Sequence, residues 1–173
     1  MTTTQHILGI DPGSRLTGFG VVDLVGDKSS YVASGTVKSL DGDFPNRLRQ
    51  IFMSMTEIVQ EYRPDVVAIE SVFMHKSAGS ALKLGQARSA ALCATFAYPV
   101  EVFEYAPREI KQAVVGNGSA SKEQVLHMVV SLLSLQGAPA SDAADALAAA
   151  LCHGHQRRIQ SQLGEHQAIA SLK

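Results

Sequence analysis

The sequence predicts an α/β fold, with an antiparallel meander and then parallel strands in one mixed sheet, and helices on both faces. Three observations carry this. The first third is β-rich and broken by a hairpin signal, the middle alternates strand and helix patterns, and the remainder is helical. No internal repeat or long linker divides the 173 residues, so the whole chain, 1–173, reads as one domain.

His6–Ile10 is a short apolar strand, followed at once by the turn chemistry of Asp11-Pro12-Gly13-Ser14. Thr17–Val25 and Ser30–Ser39 are β-rich and joined around Gly26-Asp27. Leu48, Ile51, Phe52, Met55, Ile58, Val59 and Tyr62 then recur at helical spacing, between Pro45 and Pro64. Asp65–Glu70 is a continuous apolar run closed by an acid, as in a parallel strand covered on both faces. Ser80–Phe96 is a helix rich in small residues, and Val100–Phe103 a further strand. Ala106-Pro107 opens a short helix, and Ser121 with Gln124 forms a capping box before Val125, Met128, Val129, Leu132 and Leu133. The last clear helix runs from Ser141 to about Arg158, and from about residue 160 the chain reads as a polar, partly disordered tail.

Composition excludes more than it assigns. No apolar run approaches the ~20 residues of a membrane span, and the start lacks the basic and apolar regions of a signal peptide. Cys93 and Cys152 lack metal-ligand spacing and read as buried free thiols, which suits a reducing cytosol. Net charge is −1, so any nucleic-acid binding must come from where the bases sit.

The residues that carry chemistry are Asp11, Glu70, Asp142 and Asp145. Asp11 and Glu70 end strands of one predicted sheet, so they converge in space. Asp142 and Asp145 are three apart at a helix start and share a face. Ala144, Leu147, Ala148 and Leu151 lie on another face and pack on the sheet, leaving the acids at its border. Asp in a first helical turn and Asp before Pro-Gly are ordinary structure. Glu70 is harder to explain that way, because an unpaired carboxylate closing a buried run is costly. A hard cation such as Mg²⁺ would stabilise several carboxylates together. One or two such ions per subunit suit phosphoryl displacement without a covalent nucleophile, and the sequence holds no convincing Ser-His-Asp or Cys-His arrangement.

Five segments, in order, resemble one family. They are Leu8-Gly9-Ile10-Asp11-Pro12-Gly13-Ser14 with Thr17, Gly18 and Gly20; Ala68-Ile69-Glu70 with Val72-Phe73-Met74; Ser80 to Arg88; Lys111-Gln112 to Gly116; and Asp142 to Ala148. Together they resemble the RuvC-type Holliday junction resolvases over roughly residues 7–155, with Ser71 and Ser89 as mild departures. The resemblance implies a ribonuclease H-like fold, a homodimer and paired, Mg²⁺-dependent nicking of four-way DNA junctions, with Mn²⁺ as a substitute metal. It also implies a branch-migration complex as partner, in a bacterial cytoplasm. The family's catalytic, metal-holding acids map onto Asp11, Glu70, Asp142 and Asp145.

By the same resemblance Phe73 stacks on a base near the crossover, while Lys111 and Lys122 stand near the scissile phosphate. Lys76, Lys83, Arg88 and Arg108 would extend a phosphate-tracking surface, and a solvated surface is an equal reading for each. His153 and His155 lack further nearby ligands; as late-helix cations they would suit the C-terminal dipole. His127 reads as a packing residue. The Ala- and Gly-rich Ser80–Phe96 helix is the candidate for close subunit packing. Two rivals remain open: a non-cleaving junction-binding protein, and a related nuclease acting on another nucleic acid. An actin-like phosphotransferase would need a second domain and phosphate loop, which this chain is too short to supply.

Overall fold

A computed structural model describes residues 3–72 and 77–170, with 160–170 as backbone only. Five strands form one sheet: β1 (Thr4–Asp11), β2 (Leu16–Val25), β3 (Lys28–Lys38), β4 (Val66–Glu70) and β5 (Glu101–Tyr105), in the order β3-β2-β1-β4-β5. The β1–β2 and β2–β3 pairs are antiparallel, and the β1–β4 and β4–β5 pairs are parallel. Gly26 supplies the left-handed residue (φ 58°) of the two-residue loop between Val25 and Lys28.

Helices α1 (Phe44–Tyr62) and α2 (Ala78–Cys93) cover one face. On the other lie α3 (Pro107–Val115), α4 (Lys122–Leu132) and α5 (Ser141–Ala170). α1 starts where the Asp43 carboxylate accepts from the Asn46 N–H, and buries Ile51, Met55 and Val59 at four-residue spacing. It ends at Arg63, whose left-handed backbone (φ 45°) returns its N–H to the Val59 carbonyl ahead of Pro64. On the opposite face, Ala143, Ala144 and every residue from Ala146 to Gly154 of α5 are buried. α5 is therefore an interior helix, held between the sheet and the α3–α4 pair.

The ribonuclease H-like mixed sheet with helices on both faces is as expected, and several details differ. α2 begins earlier, because Ser77 caps it by accepting from the Ser80 N–H, and stops at Cys93. Beyond it the Thr95 hydroxyl takes the Leu92 carbonyl. β5 reaches Tyr105, and α5 continues past Arg158 to Ala170 because nothing interrupts its backbone ladder. Cys93 is exposed, not buried: α2 turns Ala87 and Ala91 inward, and a residue two beyond Ala91 falls on the opposite side. His127 faces solvent and has no packing role, since α4 buries Val125 and Val129. His153 is neither late in its helix nor a cation at a helix end; it is buried. Among the described residues, no helix is long and apolar enough to cross a membrane.

Candidate active site

Strand alternation decides where the acids point. Along β1, Leu8 and Ile10 enter the α1–α2 core while Ile7 enters the α5 core, so Gly9 and Asp11 share the α5 face. β4 repeats the pattern: Val66 and Ala68 face α5, Val67 and Ile69 face away, and Glu70 returns to the α5 side. The parallel register sets Ile10 against Ile69. The next residues, Asp11 and Glu70, therefore emerge together at the carboxyl edge.

Glycine spacing brings the second pair of acids to the first. Gly18 is the β2 partner of Asp11, and a Cβ there would lie 1.9 Å from the Asp142 carbonyl oxygen. A Cβ at Gly9 would lie 1.9 Å from the Ala146 carbonyl oxygen, and one at Gly20 would strike Leu147 at 2.7 Å. The helix backbone thus rests directly on the strands, and the first turn of α5 is lowered onto the strand ends.

Asp11, Glu70 and Asp145 line a cleft of about 190 Å³ with Lys111 and Lys122, walled by Pro107, Ile110, Val125 and Ala148. Asp142 lies one turn before Asp145 on α5, and its charge reaches Asp11. The Lys122 ammonium donates to Asp145 Oδ2 at 2.8 Å. Lys122 takes this position because Ser121 and Gln124 fix the start of α4 with a reciprocal capping box.

Charge is crowded here. Burial first, then Asp145, Glu70 and Asp142, push the Asp11 carboxyl up to about 8, against the pull of Lys122. Glu70 is raised by burial and then by Asp145, with Lys122 and Lys111 opposing. The bond to Asp145 holds the Lys122 ammonium above its usual range, although burial acts against it. All the acidic donors are carboxylate oxygens, the chemistry a hard divalent cation prefers. Among the described residues no group of three or more acid, imidazole or thiol side chains is placed to hold a metal ion by itself. The fit to a cation therefore rests on the carboxylate chemistry of the acids, with water or phosphate oxygens left to complete the coordination.

The other expected site residues scatter. Arg108 is exposed on α3, its side chain passing beneath Gly118. Lys83 is exposed on α2, with its ammonium 5.8 Å from the Phe44 ring centroid. Arg88 pairs with Glu104 at 2.8 Å along the α2 groove. None of these three lines the acid cleft. Phe73 and Lys76 lie outside the described residues.

Two roles went unassigned among residues that the family-like segments already contain. The three glycines alternate on the α5 face, a period-two signal that could have been seen. The Gln112 amide, whose role no sequence pattern indicates, clamps the loop between α3 and α4. It donates to the Gly116 carbonyl at 2.9 Å and accepts from the Gly118 N–H at 3.1 Å.

Residues 7–153 match the family model described as crossover junction endodeoxyribonuclease RuvC. The protein of that name from Methylococcus capsulatus is 54% identical over 158 residues, covering 91% of this chain and 95% of the relative. The Thermus thermophilus RuvC structure superposes with a TM-score of 0.81 at 37% identity, covering 90% of this chain and 97% of that one. The same Thermus protein in complex with Holliday junction substrate gives 0.84 at 36% identity, covering 90% and 96%. A family match across nearly all the folded chain, with the acids converging where the strands end, means that this chain belongs to the RuvC family of crossover junction endodeoxyribonucleases.

Proposed function

We propose that this chain cuts four-way DNA junctions, hydrolysing one phosphodiester bond in each of two equivalent strands. The observation that carries the reading is the convergence of Asp11, Glu70 and Asp145 with Lys122 in one cleft, Asp142 one turn away. Four clustered acids would repel DNA and serve no purpose in a protein that only binds it.

In this reading Asp11, Glu70, Asp142 and Asp145 hold one or two Mg²⁺ ions, with Mn²⁺ as a substitute. When bound, the cation supplies an activated water and neutralises charge on the phosphate. Lys122 and Lys111 approach the phosphate from the α3–α4 side and stabilise its non-bridging oxygens as charge develops. Phe73 and Lys76, which follow Glu70 in sequence, stack on and track the strand beside the cut. Arg108 extends that surface along α3. Lys83 and Arg88 belong to α2 and border the DNA surface from there.

The single 1–173 domain works as a homodimer, because a junction presents paired equivalent strands and a two-fold assembly presents paired sites. A groove of about 960 Å³ along α2, lined by Leu48, Ala81, Leu82, Gly85 and Ala90, supports subunit packing there; Leu82 is 68% exposed. The enzyme serves recombination and repair in the bacterial cytoplasm beside a branch-migration complex.

The test is a synthetic mobile four-way junction and a matching duplex, each incubated with Mg²⁺ or EDTA. Metal-dependent paired nicks that spare the duplex and vanish with Asp142→Asn are expected. Tight junction binding without nicking in either Mg²⁺ or Mn²⁺ would replace the reading with a binding protein. Sedimentation as a monomer at micromolar concentration would overturn the dimer.

A further inference from the structure

α5 is docked unevenly. Glycines seat it on β1 and β2, but β5 has none, and the hydrogen bond and ring contacts that join β5 to α5 fall on His153. His153 is 3% exposed in a helix otherwise lined there by Ala148, Ala149, Ala150, Leu151 and Cys152. Its Nδ1 lies 2.8 Å from the Tyr105 hydroxyl in a buried hydrogen bond, and its ring sits 4.5 Å from that of Phe103. Among the described residues its Nε2 is buried with no hydrogen-bond partner. An aliphatic residue would fill this position without that cost, so the histidine needs a reason.

Both ends of the bond lead to the acids. Tyr105 is the β5 partner of Glu70, and its carbonyl accepts from the Ser71 N–H at 2.9 Å and the Ser71 hydroxyl at 3.2 Å. Tyr105 also precedes α3, which carries Lys111. His153 stands two turns beyond Asp145 on α5, about 12 Å along the helix axis. Contact between alanines and aliphatic strands is non-directional and resists sliding poorly, whereas a hydrogen bond fixes position along the helix.

We propose that the Tyr105–His153 hydrogen bond is a strut that fixes the spacing between the Glu70–Lys111 side of the cleft and the Asp142–Asp145 side. Tyr105 and His153 are then positioning residues for the cation and the scissile phosphate, although neither lines the cleft. This rests on the proposed metal-dependent cleavage.

The experiment compares Tyr105→Phe, His153→Gln and His153→Leu with the parent in the full chain. Four quantities are read: Mn²⁺ affinity of the DNA-free protein by calorimetry, kcat and KM on a junction, and Tm. For Tyr105→Phe, Mn²⁺ affinity and kcat should each fall about tenfold, with KM within about twofold, as for partners that orient metal ligands. His153→Gln, whose amide can meet the tyrosine hydroxyl, should recover part of what His153→Leu loses. A lower Tm with unchanged Mn²⁺ affinity and kcat in the folded variants would overturn the strut, as would equal losses for Gln and Leu. If Tyr105→Phe fails to fold, the Gln and Leu comparison decides. A parent that binds Mn²⁺ but cuts no junction removes the proposed reaction alone; one that binds no Mn²⁺ removes both.

Discussion

The two ends of the buried stretch of α5 handle ionisable groups in opposite ways. Near its start, Asp145 joins Asp11 and Glu70 in a partly exposed cleft with Asp142 one turn away, and each negative charge makes the next one harder to carry. Two turns further on, Cys152 and His153 are buried and kept neutral. Burial pushes the thiol up to about 12, and burial with Arg157 pushes the imidazole down to about 4. Low dielectric permits only two outcomes, neutralisation of the group or recruitment of countercharge. One end gathers like charges beside Lys122, and the other removes charge altogether.

The sharpest way to break this contrast is to remove a charge from the crowded end. Asp11→Asn should cut junction nicking by at least about a hundredfold. The same variant should stabilise the metal-free fold at high pH. Asp11 ionises in the native state only near pH 8, against about 4 when unfolded, so its contribution is full below pH 4 and is lost as pH rises through 8. Melting in EDTA at pH 8.5 should place the variant about 3 °C or more above the parent. Millimolar Mg²⁺ should raise the parent's Tm and leave the variant's nearly unchanged. A variant that melts below the parent in EDTA would mean the acids are not in conflict.

Lys122→Ala tests the countercharge that the cleft already holds. Nicking should fall on the order of a hundredfold at saturating metal. Stability should move by less than about 1 kcal/mol, because the lysine side chain is 69% exposed and such ion pairs contribute little. A large drop in urea resistance would make Lys122 structural.

The neutral end has its own pH signature. His153 binds a proton near pH 6.5 when unfolded and only near pH 4 when folded, so stability falls as pH drops through that window. The groups facing it are Tyr105, Phe103, Cys152 and Arg157. Between pH 7 and pH 4 urea denaturation should show the parent losing on the order of 3 kcal/mol relative to His153→Gln, because the opposing gain from Asp11 is common to both proteins. Equal slopes for the two proteins would show that the imidazole is already charged in the fold.

Gly18→Ala makes the smallest chemical change. Its methyl would strike the Asp142 carbonyl, so the start of α5 must lift, at about 1–3 kcal/mol of stability and with reduced nicking. Unchanged melting and activity would mean that the glycine contact does not place the acids.

These contrasts also mark what was legible in the sequence. A buried run closed by Glu70, and an aspartate pair opening an apolar helix, are readable because alternation and helical spacing state which way a side chain points. α2 places alanines on its buried and exposed sides alike, and past Asp145 the buried stretch of α5 is apolar on nearly every side, so spacing alone does not say which side meets the core. The exposure of Cys93 and the burial of His153 follow only from which neighbours pack against those helices. The Tyr105–His153 bond joins residues 48 apart, so no local pattern could announce it.

The glycine saddle under α5 has a consequence in time. Asp11 and Glu70 can meet as soon as β4 pairs with β1, but Asp142 and Asp145 arrive only when a helix some 130 residues after Asp11 settles onto Gly9, Gly18 and Gly20. Such long-range closure is slow compared with the local meander. The acid cluster is therefore complete only once this last, long-range docking of α5 has taken place.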